Sequence, residues 1–328
     1  MRRLLVAFVA AVVLAGCGGD GDDGGAEGSG ATDGEAIRVV ASFYPLAEVA
    51  RRVGGSSVEV VDLTPSGAEP HDLELVSSQV EAIEDAALVV VLGRGFQPAV
   101  EEVAARRDGA TLVVLDELGL EPGAVEDEHA GEDEHAGEDE HAGEDADAPE
   151  GAVIDPHVWL DPTKMAEIVD AVEDALAAIE PEGAETFRAN ADALRADLDE
   201  LDTEFAAGLA ECERRVVVTS HDAFGWLAAR YDLRQEAIAG LEPDQEPSAD
   251  RLARLADLAR EEGVTTIFTE TLVSPEVAET LAREAGGLET AVLDPIEGLS
   301  PERSSQGDDY FTVVRENLDA LRRALGCA

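Results

Sequence analysis

The sequence predicts an α/β protein with two lobes, each a mostly parallel sheet flanked by helices, joined by one long rigid helix. Short apolar segments alternate with amphipathic helices over residues 37–180, and the alternation restarts over residues 212–328. A continuous run of helical spacing over residues 181–211 lies between them. Strands that alternate with helices at this spacing are typical of parallel sheets covered on both faces.

In the first lobe, apolar runs predict four strands. They lie at residues 37–42, 58–63, 88–93 and 110–116. Helical spacing separates them in "PLAEVARRVG", "LELVSSQVEAIEDA" and "QPAVEEVAARRD", and it resumes from Thr163 to Ile179. Residues 121–151 interrupt this pattern as an acidic insert.

The predicted linking helix follows Pro181, which interrupts the preceding helical pattern. About 28 residues at about 1.5 Å per residue would span roughly 40 Å. This length exceeds that of an ordinary globular helix and suits a strut that runs along both lobes.

The second lobe repeats the alternation. Strands are predicted at residues 215–219, 264–270 and 289–295. The helices are predicted in "DAFGWLAARYD", "SADRLARLADLAREEG", "SPEVAETLAREAG" and "DYFTVVRENLDALRRALG".

Residues 1–17 are interpreted as an export signal. Arg2 and Arg3 precede an apolar run that ends at Cys17 and is too short for a membrane-spanning helix. "LAGC" resembles a bacterial lipobox, in which the cysteine is lipidated; the alternative is an ordinary signal peptide with an incidental cysteine. Residues 18–36 are glycine-rich and acidic and predict a flexible tether. We therefore expect an extracytoplasmic protein, anchored by lipid to the outer face of the cell membrane.

The charge of the chain argues against a nucleic-acid partner. Seventy-three acidic residues against 23 basic residues give a formal net charge of −50. Such a surface repels nucleic acid and anionic lipid headgroups, and it attracts cations.

Two cysteines remain after Cys17, namely Cys212 and Cys327. Exported proteins meet an oxidising compartment, so this pair is predicted to form a disulfide that ties the C-terminal tail to the second lobe. The alternative is two separate thiols. The sequence has no CxxC motif that would indicate a thiolate metal site.

Three histidines outside the insert, His71, His157 and His221, each follow a predicted strand or its loop, and Asp294 occupies a similar place. Ligands of open parallel sheets gather outside the carboxyl ends of the strands. Three imidazoles and a carboxylate suit a divalent first-row metal in tetrahedral geometry, with zinc favoured over manganese. Each histidine also has a purely structural interpretation, and Asp294 has one as a turn or helix-capping residue.

Further polar residues near these positions have weaker assignments. Asp222 is either a residue that orients an imidazole or a helix N-cap, and Glu270 is a candidate for orienting a ligand. Asp155 and Asp161 are interpreted as turn-forming. Trp159 is interpreted as a packing residue.

Four segments, "PSGAEPHDLEL", "DPHVWLDP", "VTSHDAFGWLAARYDL" and "LDPIEG", resemble the metal-binding lipoproteins of ABC importers, the zinc/manganese solute-binding proteins. The resemblance runs from about residue 37 to the C-terminus. It implies a metal held in a cleft between two α/β lobes that are bridged by a rigid helix.

The resemblance also implies a ligand set. His71 matches the first histidine ligand and His157 the second. His221 matches the third, which is histidine in the zinc branch and glutamate in the manganese branch. Asp294 matches an aspartate ligand of the C-terminal lobe. Because Pro70 stands where some zinc members have an acidic residue, the fourth ligand stays open between Asp294 and water.

The acidic insert contains His129, His135 and His141 in a repeated hexad. Zinc-type members often carry a His- and acid-rich loop at this place. The insert is thus interpreted as an auxiliary, low-affinity loop that collects metal, and the alternative is a solubilising spacer.

The predicted function is capture of Zn²⁺ and its delivery to an ABC permease with an ATPase subunit, by a monomer that is not an enzyme. Mn²⁺ as the cargo and a zinc-dependent hydrolase are the alternatives, and an adhesin with a structural metal is a third. Because neutral imidazoles bind the ion, affinity is expected to fall as the pH drops through about 6.5.

Overall fold

The computed structural model describes residues 36–120 and 154–328, in which two four-stranded sheets carry the architecture. Several predictions lie outside the described residues: the signal peptide with Cys17, most of the tether, and the acidic insert with His129, His135 and His141.

The first sheet is wholly parallel, with the order β2-β1-β3-β4. Its strands are β1 (Ile37–Ala41), β2 (Val58–Asp62), β3 (Leu88–Val91) and β4 (Ala110–Val113). The helices of this lobe are α1 (Tyr44–Gly54), α2 (Ser77–Asp85), α3 (Pro98–Ala104), α4 (Val114–Glu117) and α5 (Pro162–Ile179). All four residues of β3 are buried, as expected of a central strand covered on both faces.

The second sheet is also parallel, with the order β6-β5-β7-β8. Its strands are β5 (Val216–Thr219), β6 (Arg234–Ala237), β7 (Thr266–Thr269) and β8 (Glu289–Val292). The helices of this lobe are α7 (Gly225–Arg230), α8 (Ala249–Glu261), α9 (Glu276–Glu284), α10 (Pro301–Gln306) and α11 (Tyr310–Leu325).

The long helix α6 spans Ala184–Gly208 and is preceded by a 3-10 turn at Pro181–Gly183. It packs against α1 and α5 of the first lobe and against α11 of the second. Arg52 of α1 pairs with Asp197 of α6, and Arg315 of α11 pairs with Glu204. The helix is therefore fastened to both lobes, as a strut requires.

The main hydrophobic core is continuous between the lobes. It includes Phe43 from the first lobe, Phe205 from α6 and Phe268 from the second lobe. The predicted class of two parallel-sheet α/β lobes with one long connecting helix is confirmed. Strand β6 was not predicted, since its sequence, RQEA, lacks an apolar run and it lies at an edge of the sheet.

Cys212 and Cys327 form the predicted disulfide, which ties the end of the chain to the segment after α6. Within the part of the chain that the structure describes, no helix combines the length and the apolar character needed to cross a membrane.

Candidate metal centre

Four side chains from distant parts of the chain converge where the two lobes meet: His71, His157, His221 and Glu297. One candidate ligand atom from each lies within 4.8 Å of all the others. His157, His221 and Glu297 are almost fully buried, whereas the His71 side chain is 9% exposed.

Four of the six separations between the ligand atoms match a tetrahedral site, and all six are within 4.8 Å. Glu297 Oε1 lies 3.3 Å from His71 Nε2 and 3.4 Å from both His157 Nε2 and His221 Nε2. The two buried imidazoles are 3.3 Å apart between their Nε2 atoms. Tetrahedral bonds of about 2.0–2.1 Å imply ligand separations of roughly 3.3–3.4 Å, so these four distances fit an ion of that size.

His157 is held by its own loop. The Asp155 carboxylate accepts from the backbone N–H of His157 at 2.9 Å and lies 2.7 Å from His157 Nδ1. An Nδ1–H that donates to this carboxylate leaves the lone pair of Nε2 pointing at the group. Asp155, interpreted from sequence as turn-forming, therefore also orients the imidazole.

His221 follows β5 and is oriented by Glu270, which follows β7. Glu270 Oε1 accepts from the His221 backbone N–H at 3.1 Å, and Oε2 lies 2.8 Å from His221 Nδ1. Glu270 therefore occupies the orienting position suggested by the sequence. For Asp222, the backbone N–H donates to Gly240 O at 3.0 Å.

His71 lies in the loop after β2 and has a different setting. Its backbone N–H donates to Glu69 Oε1 at 2.9 Å, and its ring packs 4.4 Å from the Phe96 ring between centroids. The buried Gln97 amide donates to Pro70 O at 3.1 Å and so ties the loop to the start of α3. Ser66 Oγ and Gly67 N both donate to Leu299 O, which fastens the same loop to the second lobe.

Glu297 was missed by the sequence analysis, which left the fourth ligand open between Asp294 and water. Asp294 is buried, but its Oδ1 accepts from Ile296 N at 2.8 Å and its Oδ2 from Thr271 Oγ1 at 2.9 Å. One oxygen is thus used within the turn after β8 and the other by the segment after β7, and Asp294 does not join the group. Among the described residues, the fourth member of the candidate group is Glu297, three residues further on in the quoted "LDPIEG".

The carboxylates shift the titration of the two buried imidazoles. Burial alone would lower the pKa of His157, but hydrogen bonds with Asp155 and Glu297 outweigh it and raise the pKa above its usual value. Burial alone would also lower the pKa of His221. The charge of Glu270 and its hydrogen bond outweigh burial, so the pKa of His221 is raised well above its usual value. The metal-free group therefore favours protonated imidazoles beside Glu270 and Glu297.

The pKa values of Glu297, which belongs to the group, and of the neighbouring Glu69 are shifted in opposite directions. Burial would raise the pKa of Glu297, yet hydrogen bonds with His157, His221 and His71 hold it well below its usual range. Burial, followed by the nearby charge of Glu297, raises the pKa of Glu69 to about 8. Glu297 is thus the ionised carboxylate of the site, and Glu69 is largely neutral at pH 7.

Three neutral imidazole nitrogens and one carboxylate oxygen form a donor set typical of zinc. The fold and this group define the chain as a two-lobed α/β protein with a candidate metal centre made by both lobes.

A family model described as "ZnuA: Zinc-uptake complex component A periplasmic" matches residues 39–324. The chain belongs to this family. Zinc-binding protein AdcA of Streptococcus pyogenes serotype M3 is 36% identical over 289 residues, which cover 87% of this chain and 55% of AdcA. The chain thus spans about half the length of that relative.

Two further comparisons agree with the family. High-affinity zinc uptake system protein ZnuA of Bacillus subtilis strain 168 is 34% identical over 325 residues, covering 98% of this chain and 97% of that protein. The crystal structure of Zn(II)-bound AdcA from Streptococcus pneumoniae superposes with a TM-score of 0.71 at 32% identity, covering 88% of this chain and 58% of that one.

Proposed function

We propose that this chain captures Zn²⁺ between its two lobes, with His71, His157, His221 and Glu297 as the ligands, for import by an ABC transporter. The observation that carries the proposal is the convergence of these four ligand atoms within 4.8 Å of one another. The relatives named zinc-binding protein AdcA and high-affinity zinc uptake system protein ZnuA, and the Zn(II)-bound AdcA structure, support the same cargo.

The donor set favours Zn²⁺ over Mn²⁺. Manganese prefers more oxygen ligands and higher coordination numbers, whereas imidazole suits zinc. The third histidine, His221, is held in place by the buried Glu270, so the nitrogen-rich set is built into the fold.

Capture is favoured over hydrolysis. A catalytic zinc site keeps one position open for water or substrate, whereas binding sites close the shell with protein ligands. Here four protein side chains meet, four of the six separations between their ligand atoms are those of a tetrahedron, and the site is almost completely buried. The role is therefore that of a carrier rather than an enzyme.

Delivery requires the chain to stay near a membrane permease and its ATPase subunit. The lipid anchor proposed at Cys17 and the tether over residues 18–36 would keep a monomer at the outer face of the membrane. A zinc-binding lipoprotein among the relatives, AdcA of Streptococcus pneumoniae strain R6, supports this anchoring.

The acidic insert is proposed as an accessory collector. His129, His135 and His141 would gather Zn²⁺ weakly among the neighbouring carboxylates of the repeat. The buried group would remain the high-affinity site.

The test measures Zn²⁺ and Mn²⁺ affinity by competition with chelators of known strength. His71→Ala, His157→Ala and His221→Ala are compared with a deletion of residues 126–147. We expect each histidine substitution to weaken zinc binding far more than the deletion, and we expect wild-type protein purified without added metal to carry zinc. If the deletion were the most damaging change, or if the three substitutions left zinc affinity intact, the assignment of the buried site would be wrong.

A further inference from the structure

Trp159 lies between the segment that carries His157 and the segment that carries Glu297. Its side chain is fully buried in the 3-10 turn Val158–Leu160, which directly follows His157. Its ring is 5.2 Å from the His157 ring and 4.9 Å from the Phe43 ring between centroids. The residue therefore packs with the first lobe while it touches a ligand.

Two hydrogen bonds join Trp159 to the second lobe. The indole Nε1–H donates to Pro295 O at 2.7 Å, and the Tyr310 hydroxyl donates to Trp159 O at 2.6 Å. The indole bond ends two residues before Glu297. Because both bonds are buried, breaking either one would leave a polar group without water to replace its partner.

The turn that presents Glu297 needs such support. Ile296 has a φ of 58°, a left-handed conformation that is costly for a β-branched residue. Strained backbone persists only where the surroundings hold it. Asp294 Oδ1 holds Ile296 N from inside the turn, and the Trp159 indole holds Pro295 O from the other lobe.

We infer that Trp159 is a positioning residue of the metal site: its indole N–H fixes the strained turn at Pro295 and thereby keeps Glu297 in register with His157. This inference rests on the proposed function. It assigns to the indole a role beyond filling the core, since the ring alone would pack equally well without the N–H.

The test compares Trp159→Phe with Tyr231→Phe in the full chain. Trp159→Phe keeps an aromatic ring and removes the donor to Pro295 O. Tyr231→Phe also removes one partly buried donor, to Asp202 of α6, and is the matched control away from the metal site. Substitutions of residues that orient metal ligands typically cost about 10- to 100-fold in affinity. We expect a loss in this range for zinc at Trp159, with faster zinc release, and unchanged affinity for the control.

Two readouts separate positioning from a general loss of packing. Co²⁺ bound to the wild-type protein should give the strong visible absorption of a tetrahedral site. Trp159→Phe should weaken or shift that absorption, because Glu297 Oε1 moves away from the imidazoles. Replacement of the Trp159 indole by benzothiophene, which keeps the bicyclic shape and removes the N–H, should reproduce the same losses even if the phenylalanine variant folds poorly.

The inference is overturned if the benzothiophene protein binds and releases zinc as the wild type does, or if both replacements lower only the unfolding temperature while the Co²⁺ spectrum stays unchanged. Failure of the proposed function is distinguishable, because in that case Glu297→Gln and His157→Ala would themselves leave zinc affinity intact. If those two variants lose zinc and the indole replacements do not, only the role of Trp159 is refuted.

Discussion

The two lobes share one strand order, yet they hold their metal-binding candidates differently. From one edge to the other, each sheet has the second strand of its lobe, then the first, then the third and then the fourth. In the second lobe, His221 lies two residues after β5 ends at Thr219. In the first lobe, His71 lies nine residues after β2 ends at Asp62.

This difference in distance from the sheet is matched by a difference in support. His221 is fully buried, and a carboxylate from the neighbouring strand end binds both its backbone and its ring. His71 is partly exposed and depends on a long loop held by Gln97, Ser66 and Gly67. The comparison indicates a second-lobe half whose histidine is held at a strand end. The first-lobe half combines His157, which Asp155 binds in the same way, with His71, whose position rests on loop contacts.

The largest expected effect comes from Glu297, the carboxylate within the group of candidate ligands. Glu297→Gln removes the charge that faces all three imidazoles and should weaken zinc binding by more than the roughly 100-fold typical of residues that only orient ligands. Glu69→Gln is the comparison variant, because Glu69 lies outside the four-residue group and, in the zinc-free protein, burial and the charge of Glu297 raise its pKa to about 8.

Chelator competition at pH 7 on both variants measures this pair. We expect the Glu69→Gln loss to be much smaller than the Glu297→Gln loss. Equal losses would mean that the first-lobe carboxylate is also a ligand and that the two lobes contribute alike.

A smaller effect is expected from the residues that orient the buried imidazoles. Glu270→Gln and Asp155→Asn each keep the shape of the side chain and weaken its hydrogen bond to Nδ1. Each should reduce zinc affinity by about 10- to 100-fold, since the imidazole loses orientation and basicity. Isothermal titration calorimetry would measure both losses. An unchanged affinity for Glu270→Gln would show that the buried second-lobe support is not needed for binding.

The same residues also show which parts of the fold and of the candidate site could be predicted from the sequence. The strands were predictable because β1, β3 and β5 are short apolar runs, and His221 was predictable because it follows β5. Among the described residues His157 follows no strand directly but precedes the 3-10 turn Val158–Leu160, and its assignment came from the resemblance of "DPHVWLDP". Asp155 acts over only two residues, so the pattern Asp-Pro-His contained a usable signal. Glu297 was not predictable by position, because the turn that presents it has a left-handed backbone at Ile296 and accepts, at Pro295 O, a hydrogen bond from Trp159, which lies 136 residues before Pro295.

The next prediction in size concerns the dependence of zinc affinity on pH. The pKa of His157 is raised and that of His221 is raised well above the usual value, so protons compete with zinc at a higher pH than for isolated imidazoles. Lowering the pH through these raised values protonates the imidazoles and weakens binding, by about tenfold per pH unit for each proton displaced. The decline should therefore begin above the value of about 6.5 expected from sequence.

Proton release can be measured directly. Calorimetry of zinc binding at one pH in buffers with different ionisation enthalpies gives the number of protons displaced. We expect a positive release at pH 7, and a smaller one in Glu270→Gln, because that variant loses the charge that raises the pKa of His221. Zinc binding with no proton release at pH 7 would contradict these pKa shifts.

The smallest effect on zinc is expected from the disulfide, which distinguishes stability from binding. Cys212 precedes β5 and Cys327 follows α11, so the bond lies toward the opposite end of the second sheet from the loops that carry His221 and Glu297. Cys212→Ser combined with Cys327→Ser releases a loop of 115 residues and should lower the free energy of unfolding by about 2–5 kcal/mol. Zinc affinity should remain at the wild-type value, because the second-lobe half of the site is held by Glu270 and the turn after β8.

Denaturant unfolding of the metal-free protein and chelator competition would test the predicted loss of stability and the unchanged zinc affinity separately. A large loss of zinc affinity in the double variant would show that the rigidity of this half of the site depends on the tied C-terminus rather than on its own hydrogen bonds.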